Sequence, residues 1–199
     1  MKEKIIEKAN DMFLNFGFKS VTMDDLASEM GISKKTIYAH FQNKTKLVEA
    51  TTDHLFCTIS DGIDAILEES KEPIEELYAI KAFVMYHLKD EKTSPQYQLQ
   101  KYYPKIHNNL KVKQFEAMQE CVIENLERGI KKGVFRDNID IEIISRLYFM
   151  GMVGIKDQEM FPRQIFPVSK LMADYLEYHV RGIATEKGLE ILNKLIKEQ

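Results

Sequence analysis

"LASEMGISKKTIYAHFQNKTKL", residues 26–47, reads as two short helices hinged on Gly31. Leu26, Ile32, Ile37 and Phe41 are apolar, and small Ala27 allows the two helices to approach, which is the pattern of a helix-turn-helix. Ile37 and Phe41 lie about one turn apart on the second helix and face inward, so Lys34, Lys35, Thr36, Tyr38 and His40 face outward. That face suits a major groove: lysine donates to guanine O6 and N7, the threonine methyl meets the thymine methyl, and Tyr38, His40 and the lysines hold phosphates. Lys44, in the first turn of the next helix, is placed to grip the backbone beside free amide N–H groups. A helix-glycine-helix corner with a polar outer face also occurs in helical proteins that bind no nucleic acid, and spacing by itself leaves both readings open.

The flanking residues punctuate the same region. Gly17 is expected to end the first helix in a left-handed conformation with Phe18 folding back on it. Thr22 and Asp25 have the spacing of a capping box opening the second helix, while Ser33 and Asn43 are placed to cap the third and fourth.

Apolar residues recur at helical spacing through nearly all of the 199 residues, and period-two alternation is nowhere sustained. An all-α protein of about nine or ten helices is expected. Beyond the first four, the expected segments are Pro73 to about Leu88, a break at "DEKTSP" (90–95), Tyr97–Tyr102, Pro104–Lys132, 139–158, 167–184, and a last amphipathic helix capped by Thr185.

A net charge of −3 excludes coating of nucleic acid or membrane by bulk positive charge, so any DNA contact must be local. Residues 1–50 hold eight lysines against seven acids, a small basic excess toward the N-terminus. Cys57 and Cys121 are too few for a disulfide framework and are expected as reduced, mostly buried thiols. The charged opening lacks a signal-peptide core and no apolar run reaches the roughly 18 residues of a membrane span, so a cytoplasmic protein without membrane contact is expected. No Gly-rich phosphate loop or G-x-S-x-G elbow is present, and no catalytic residue, cofactor or metal is implied. His54 and Cys57 with Asp53 and Asp61 read as a polar helix face rather than a metal site.

The segment "FGFKSVTMDDLASEMGISKKTIYAHFQNKTKLVEA" closely resembles the N-terminal DNA-binding domain of the TetR family of transcriptional regulators, with Thr22, Ala27, Gly31, Ser33, Thr36, Tyr38, His40, Phe41, Lys44 and Leu47 at that family's signature spacing. The resemblance implies that Lys34, Lys35 and Thr36 read base edges while Thr22, Tyr38, His40 and Lys44 position phosphates. It implies a helix-turn-helix domain over 1–46 and a ligand-binding and dimerisation domain over 47–199. The expected partners are a double-stranded DNA operator, a second copy of the chain and a small-molecule effector. A helical protein-interaction module is the alternative.

In the larger domain, the segment from Leu147 to Ile155 is apolar on nearly all sides and needs burial against more than its own neighbours. Pairing it and the 168–183 segment with their symmetry mates would give a four-helix interface, for which Gly151, Gly154, Leu171, Tyr175 and His179 are the candidates. Candidate pocket residues for an apolar or aromatic ligand are Phe83, Tyr86, His87, Tyr102, Tyr103, Phe115, Met118, Cys121, Phe149 and Met152. Arg146 is expected to form an internal salt bridge.

Overall fold

The computed structural model describes residues 1–89 and 94–197. These form ten α-helices: α1 Lys2–Phe16, α2 Met23–Met30, α3 Lys34–His40, α4 Lys44–Glu68, α5 Pro73–His87, α6 Pro95–Tyr102, α7 Pro104–Lys131, α8 Ile141–Gly154, α9 Val168–Ile183 and α10 Glu186–Lys197. The break expected at 90–95 falls largely on 90–93, outside the described residues, and Pro95 opens α6. Expected and observed helices otherwise agree to within a few residues. The largest difference is α8, expected to reach 158; it stops at Gly154, and the Asp157 carboxylate then accepts from the Glu159 and Met160 amides in a separate turn. Gly17 ends α1 at φ 88 and ψ 150, a positive φ but outside the left-handed helical region expected of it.

Two compact units emerge, residues 1–60 with 87–113 and residues 61–86 with 114–199. Helix α4 passes through the boundary expected after residue 46 without interruption. The packing reason is that Leu99, Ile106 and Leu110 bury in the same core as Ile5, Phe13, Leu26, Ile37, Phe41 and Leu47. Phe18 does fold back as expected, its ring 5.1 Å from that of Phe13.

The second unit is built around Ile74, Leu126, Phe135, Tyr148, Leu176, Val180 and Leu192. The junction between α9 and α10 is joined to the turn after α7 by backbone bonds, Arg136 N to Ile183 O at 2.9 Å and Thr185 N to Val134 O at 3.0 Å. Thr185 Oγ1 accepts from Gly188 N at 3.2 Å, which caps α10 as its position predicted. Within this core Glu76 is fully buried, its Oε1 accepting from Asn125 Nδ2 at 2.8 Å and from Arg128 Nη2. Contrary to the expectation of two mostly buried thiols, Cys57 is exposed and Cys121 only partly buried, because Cys57 lies outside the apolar stripe that α4 turns to its core.

Candidate nucleic-acid interface

Local chemistry builds the corner in three steps. Thr22 Oγ1 accepts from Asp25 N at 3.1 Å while Asp25 Oδ2 accepts from Thr22 N at 2.8 Å, a reciprocal capping box that opens α2. The Thr22 backbone bond, followed by its hydroxyl, holds the Asp25 carboxyl below the usual carboxylate range. Gly31 closes α2 at φ 62 and ψ 31, with Ile32 N donating to Ala27 O at 3.0 Å and Gly31 N to Ser28 O at 3.1 Å. This is the Schellman arrangement, and open space around the position means that the left-handed φ, not crowding, calls for glycine. Ser33 Oγ then accepts from Thr36 N at 3.1 Å and starts α3. Thr22→Ala removes the first cap and is expected to lower the melting temperature by about 2–4 °C, read by circular dichroism. An unchanged melt would mean that the box adds nothing to stability.

Ile37 is fully buried and Phe41 nearly so, which anchors α3 on the core and leaves Lys34, Lys35, Tyr38 and His40 exposed on the other side. Thr36 is half-buried, its hydroxyl 2.8 Å from Ser33 Oγ. Two of the candidate cations are already engaged. Lys34 Nζ donates to Asp24 Oδ2 at 2.8 Å and lies 6.0 Å from the Tyr38 ring centroid, and the bond to Asp24 raises its pKa above the ordinary lysine value. Lys44 Nζ points to the Lys19 carbonyl at 3.4 Å and over the Phe13 ring at 6.0 Å, and burial pulls its pKa down. Thr22 is exposed at the α2 N-terminus. Asp24 was not anticipated as part of this surface, because a partner ten positions away leaves no mark in local spacing.

The ten pocket candidates do not share one compact unit: His87, Tyr102 and Tyr103 belong to the first, the remaining seven to the second. Tyr103 packs against Phe18, rings 6.3 Å apart. Tyr102 is exposed beside Lys19, whose ammonium lies 5.3 Å from its ring, and Tyr86 is also exposed. In the second unit Phe115 and Phe149 meet edge to face at 5.1 Å, Met118 and Met152 pack on the core, and Phe83 lies against Gly62. Burial pushes the Cys121 thiol up to about 12, which keeps it protonated. Arg146 does pair internally, with Glu142 one turn away at 3.0 Å, but this is an exposed bridge on α8 that also sets its guanidinium 5.4 Å from the Phe115 ring. Asp53 is bound by Lys113 at 2.7 Å, and among the described residues no cluster of three or more His, Cys, Asp or Glu could hold a metal.

Of the dimer candidates, several tie α8 to α9 within one chain. Tyr175 donates to the Leu147 carbonyl at 3.0 Å, and a side chain at Gly151 would collide with its hydroxyl. His179 stacks on Tyr148 at 4.3 Å, and burial lowers its pKa to about 4, so it is neutral at pH 7. Leu171 packs with Met85, Ile155, Val168 and Met172, while Gly154 faces open space. On α8 and α9 the large apolar side chains left exposed are others: Ile143, Leu147 and Met150 on one stripe of α8, 53–67% exposed, and Tyr178 on α9, 75% exposed. No helix among the described residues is long and apolar enough to cross a membrane.

Residues 5–51 match the sequence model described as "Bacterial regulatory proteins, tetR family". Over 78 residues the chain is 32% identical to the biofilm operon icaADBC HTH-type negative transcriptional regulator IcaR of Staphylococcus aureus (strain Newman), an alignment covering 39% of this chain and 42% of that protein. It is 23% identical over 192 residues to the HTH-type transcriptional repressor KstR2 of Mycolicibacterium smegmatis, covering 94% and 92% of the two chains. A transcriptional regulator from Cytophaga hutchinsonii shares the fold, with a TM-score of 0.71 at 19% identity over 92% of this chain and 98% of that one. The capped corner of α2 and α3 lies inside the matched N-terminal segment, and the likeness of fold continues through the helices that follow. Residues 5–51 therefore carry the sequence of the N-terminal helix-turn-helix of the TetR family of bacterial regulatory proteins, and over most of its length the chain shares the fold of a transcriptional regulator.

Proposed function

We propose that the chain is a repressor that binds a palindromic operator as a homodimer and leaves it when a small apolar or aromatic molecule binds. Residues 1–46 make the DNA contacts, and 47–199 carry dimerisation and ligand binding. The observation that carries this reading is the amphipathic division of α3, with Ile37 sealed in the core and Lys34, Lys35, Tyr38 and His40 on the opposite, exposed face. Lys34, Lys35 and Thr36 contact base edges; Thr22, Tyr38, His40 and Lys44 hold phosphates. A seven-residue helix reads few bases, so specificity calls for two of them about 34 Å apart in successive major grooves. The exposed apolar stripe of α8 and Tyr178 of α9 supplies a surface for a second copy. The ligand acts by favouring a dimer arrangement whose recognition helices no longer match the groove spacing, and it shifts DNA affinity only by its own differential affinity for the two states. Such a protein works where the chromosome is, in the cytoplasm.

Selection of bound fragments from random duplex DNA tests this, followed by salt titration of the best fragment with wild type, Lys34→Ala and Tyr38→Ala. A palindromic motif is expected. Lys34→Ala should relax the preference at one position of each half-site, whereas Tyr38→Ala should weaken all sequences about equally, by roughly 5- to 10-fold. Absence of any enriched sequence at low salt would overturn the reading in favour of a helical protein-interaction module.

A further inference from the structure

The two adjacent acids at the start of α2 have separate tasks. Asp25 closes the capping box with Thr22, whereas Asp24 reaches across the corner to the first residue of α3 and takes the Lys34 ammonium at 2.8 Å. Both side chains of that bridge are largely exposed, 68% for Asp24 and 47% for Lys34. An ion pair so open to water adds little to stability. The corner is moreover already held by the Thr22 box, the Gly31 turn and the Ser33 cap. The bridge therefore matters chiefly for what the exposed face binds.

Lysine is ordinarily a point charge on a flexible stem, less fixed in direction as a base reader than arginine. Here the ammonium is confined between Asp24 and the Tyr38 ring, 6.0 Å away, which reduces the ordering cost of a later contact. Of its three N–H groups one serves Asp24 and two remain. The Asp24 carboxylate, itself exposed, has room to accept a further bond. In the major groove a G·C pair presents guanine N7 and O6, two neighbouring acceptors, followed by the cytosine N4 amino donor. An ammonium beside a carboxylate is the complement of that order. At an A·T pair an amino group stands where O6 would be and opposes the ammonium.

We propose that Asp24 and Lys34 act together as the reader of one G·C pair in each half-site, Lys34 donating to guanine N7 and O6 and Asp24 accepting from the cytosine amino group. Away from the operator the same carboxylate occupies Lys34 and repels phosphates, so Asp24 also suppresses non-specific binding. The inference rests on the DNA-binding reading above and assigns to it an acidic residue that this reading does not contain.

The test is equilibrium binding of the full chain to its selected operator, to operators with each G·C pair changed in turn to A·T, and to a non-specific duplex. Wild type, Asp24→Asn, Asp24→Ala and Lys34→Ala are compared, with circular dichroism melts to verify folding. Wild type should lose about 10-fold at one symmetry-related position, a penalty that falls to below about 2-fold in both Asp24 variants and in Lys34→Ala. Both Asp24 variants should bind the non-specific duplex more tightly, by roughly 3- to 10-fold. Equal tightening on every duplex, with all positional penalties intact, would reduce Asp24 to a bulk charge and overturn the proposal while leaving DNA recognition standing. Failure of wild type to select any duplex would instead sink the DNA-binding reading, and this inference with it.

Discussion

Arg128→Ala is expected to destabilise the folded chain by about 3–5 kcal/mol at neutral pH, measured as a shift in the urea unfolding midpoint. Glu76 on α5 has no exposed surface, and its charge is met from α7 by the Arg128 guanidinium and by Asn125 Nδ2. Asn125 is spanned between that carboxylate and the Pro73 carbonyl at 2.9 Å, so one amide pins the first turn of α5 to the C-terminal part of α7. Removing the arginine leaves a buried carboxylate with a single neutral donor in a low-dielectric surrounding, the costly half of breaking a buried pair. Glu76→Gln should cost less, because the Arg128 side chain is about one-third exposed and can turn to water. A loss for Arg128→Ala of under about 1 kcal/mol would mean that water already solvates Glu76.

Met150→Glu is expected to separate the proposed dimer into monomers and to lower operator affinity by about 100-fold or more, with helical content unchanged. Ile143, Leu147 and Met150 follow one another at i, i+4 and i+7 on α8 and stand open. The Tyr175 hydroxyl at the Leu147 carbonyl, and the Tyr178 ring 6.5 Å from that of Tyr175, continue this surface onto α9. A carboxylate introduced in the middle of such a face must be buried unpaired if the two copies are to meet. Because Met150 is exposed in the single chain, the substitution leaves the monomer core intact, and sedimentation velocity separates dissociation from unfolding. A variant that still sediments as a dimer and binds the operator normally would move the interface elsewhere.

The elements readable beforehand are those whose cause is local. Thr22, Gly31, Ser33, Asn43 and Thr185 act on backbone groups three to five positions away, so the helix starts and the glycine turn were legible without the rest of the chain. The inward position of Ile37 and Phe41, and hence the exposed side of α3, follows from the same 3.6-residue repeat. The match over residues 5–51 covers this same region, the part in which short-range chemistry dominates.

What only the tertiary structure decided depends on partners distant in sequence. The ammonium groups of Lys34 and Lys44 are directed by residues 10 and 25 positions away, and Glu76 meets its partners 49 and 52 positions on. Helix α8 is apolar nearly all round, so its periodicity cannot say which face is covered. Tyr175 settles that by filling the space over Gly151, which turns Ile143, Leu147 and Met150 outward and leaves His179 stacked inside on Tyr148. The sequence by itself determined an all-α chain with a capped helix-turn-helix near its N-terminus, because caps, turns and helical periodicity act over one or two turns of backbone. The tertiary structure alone decided which cations of that corner are already paired and which apolar stripe of α8 stays exposed, because charge pairing and burial are set by whichever residues the fold brings within a few ångströms.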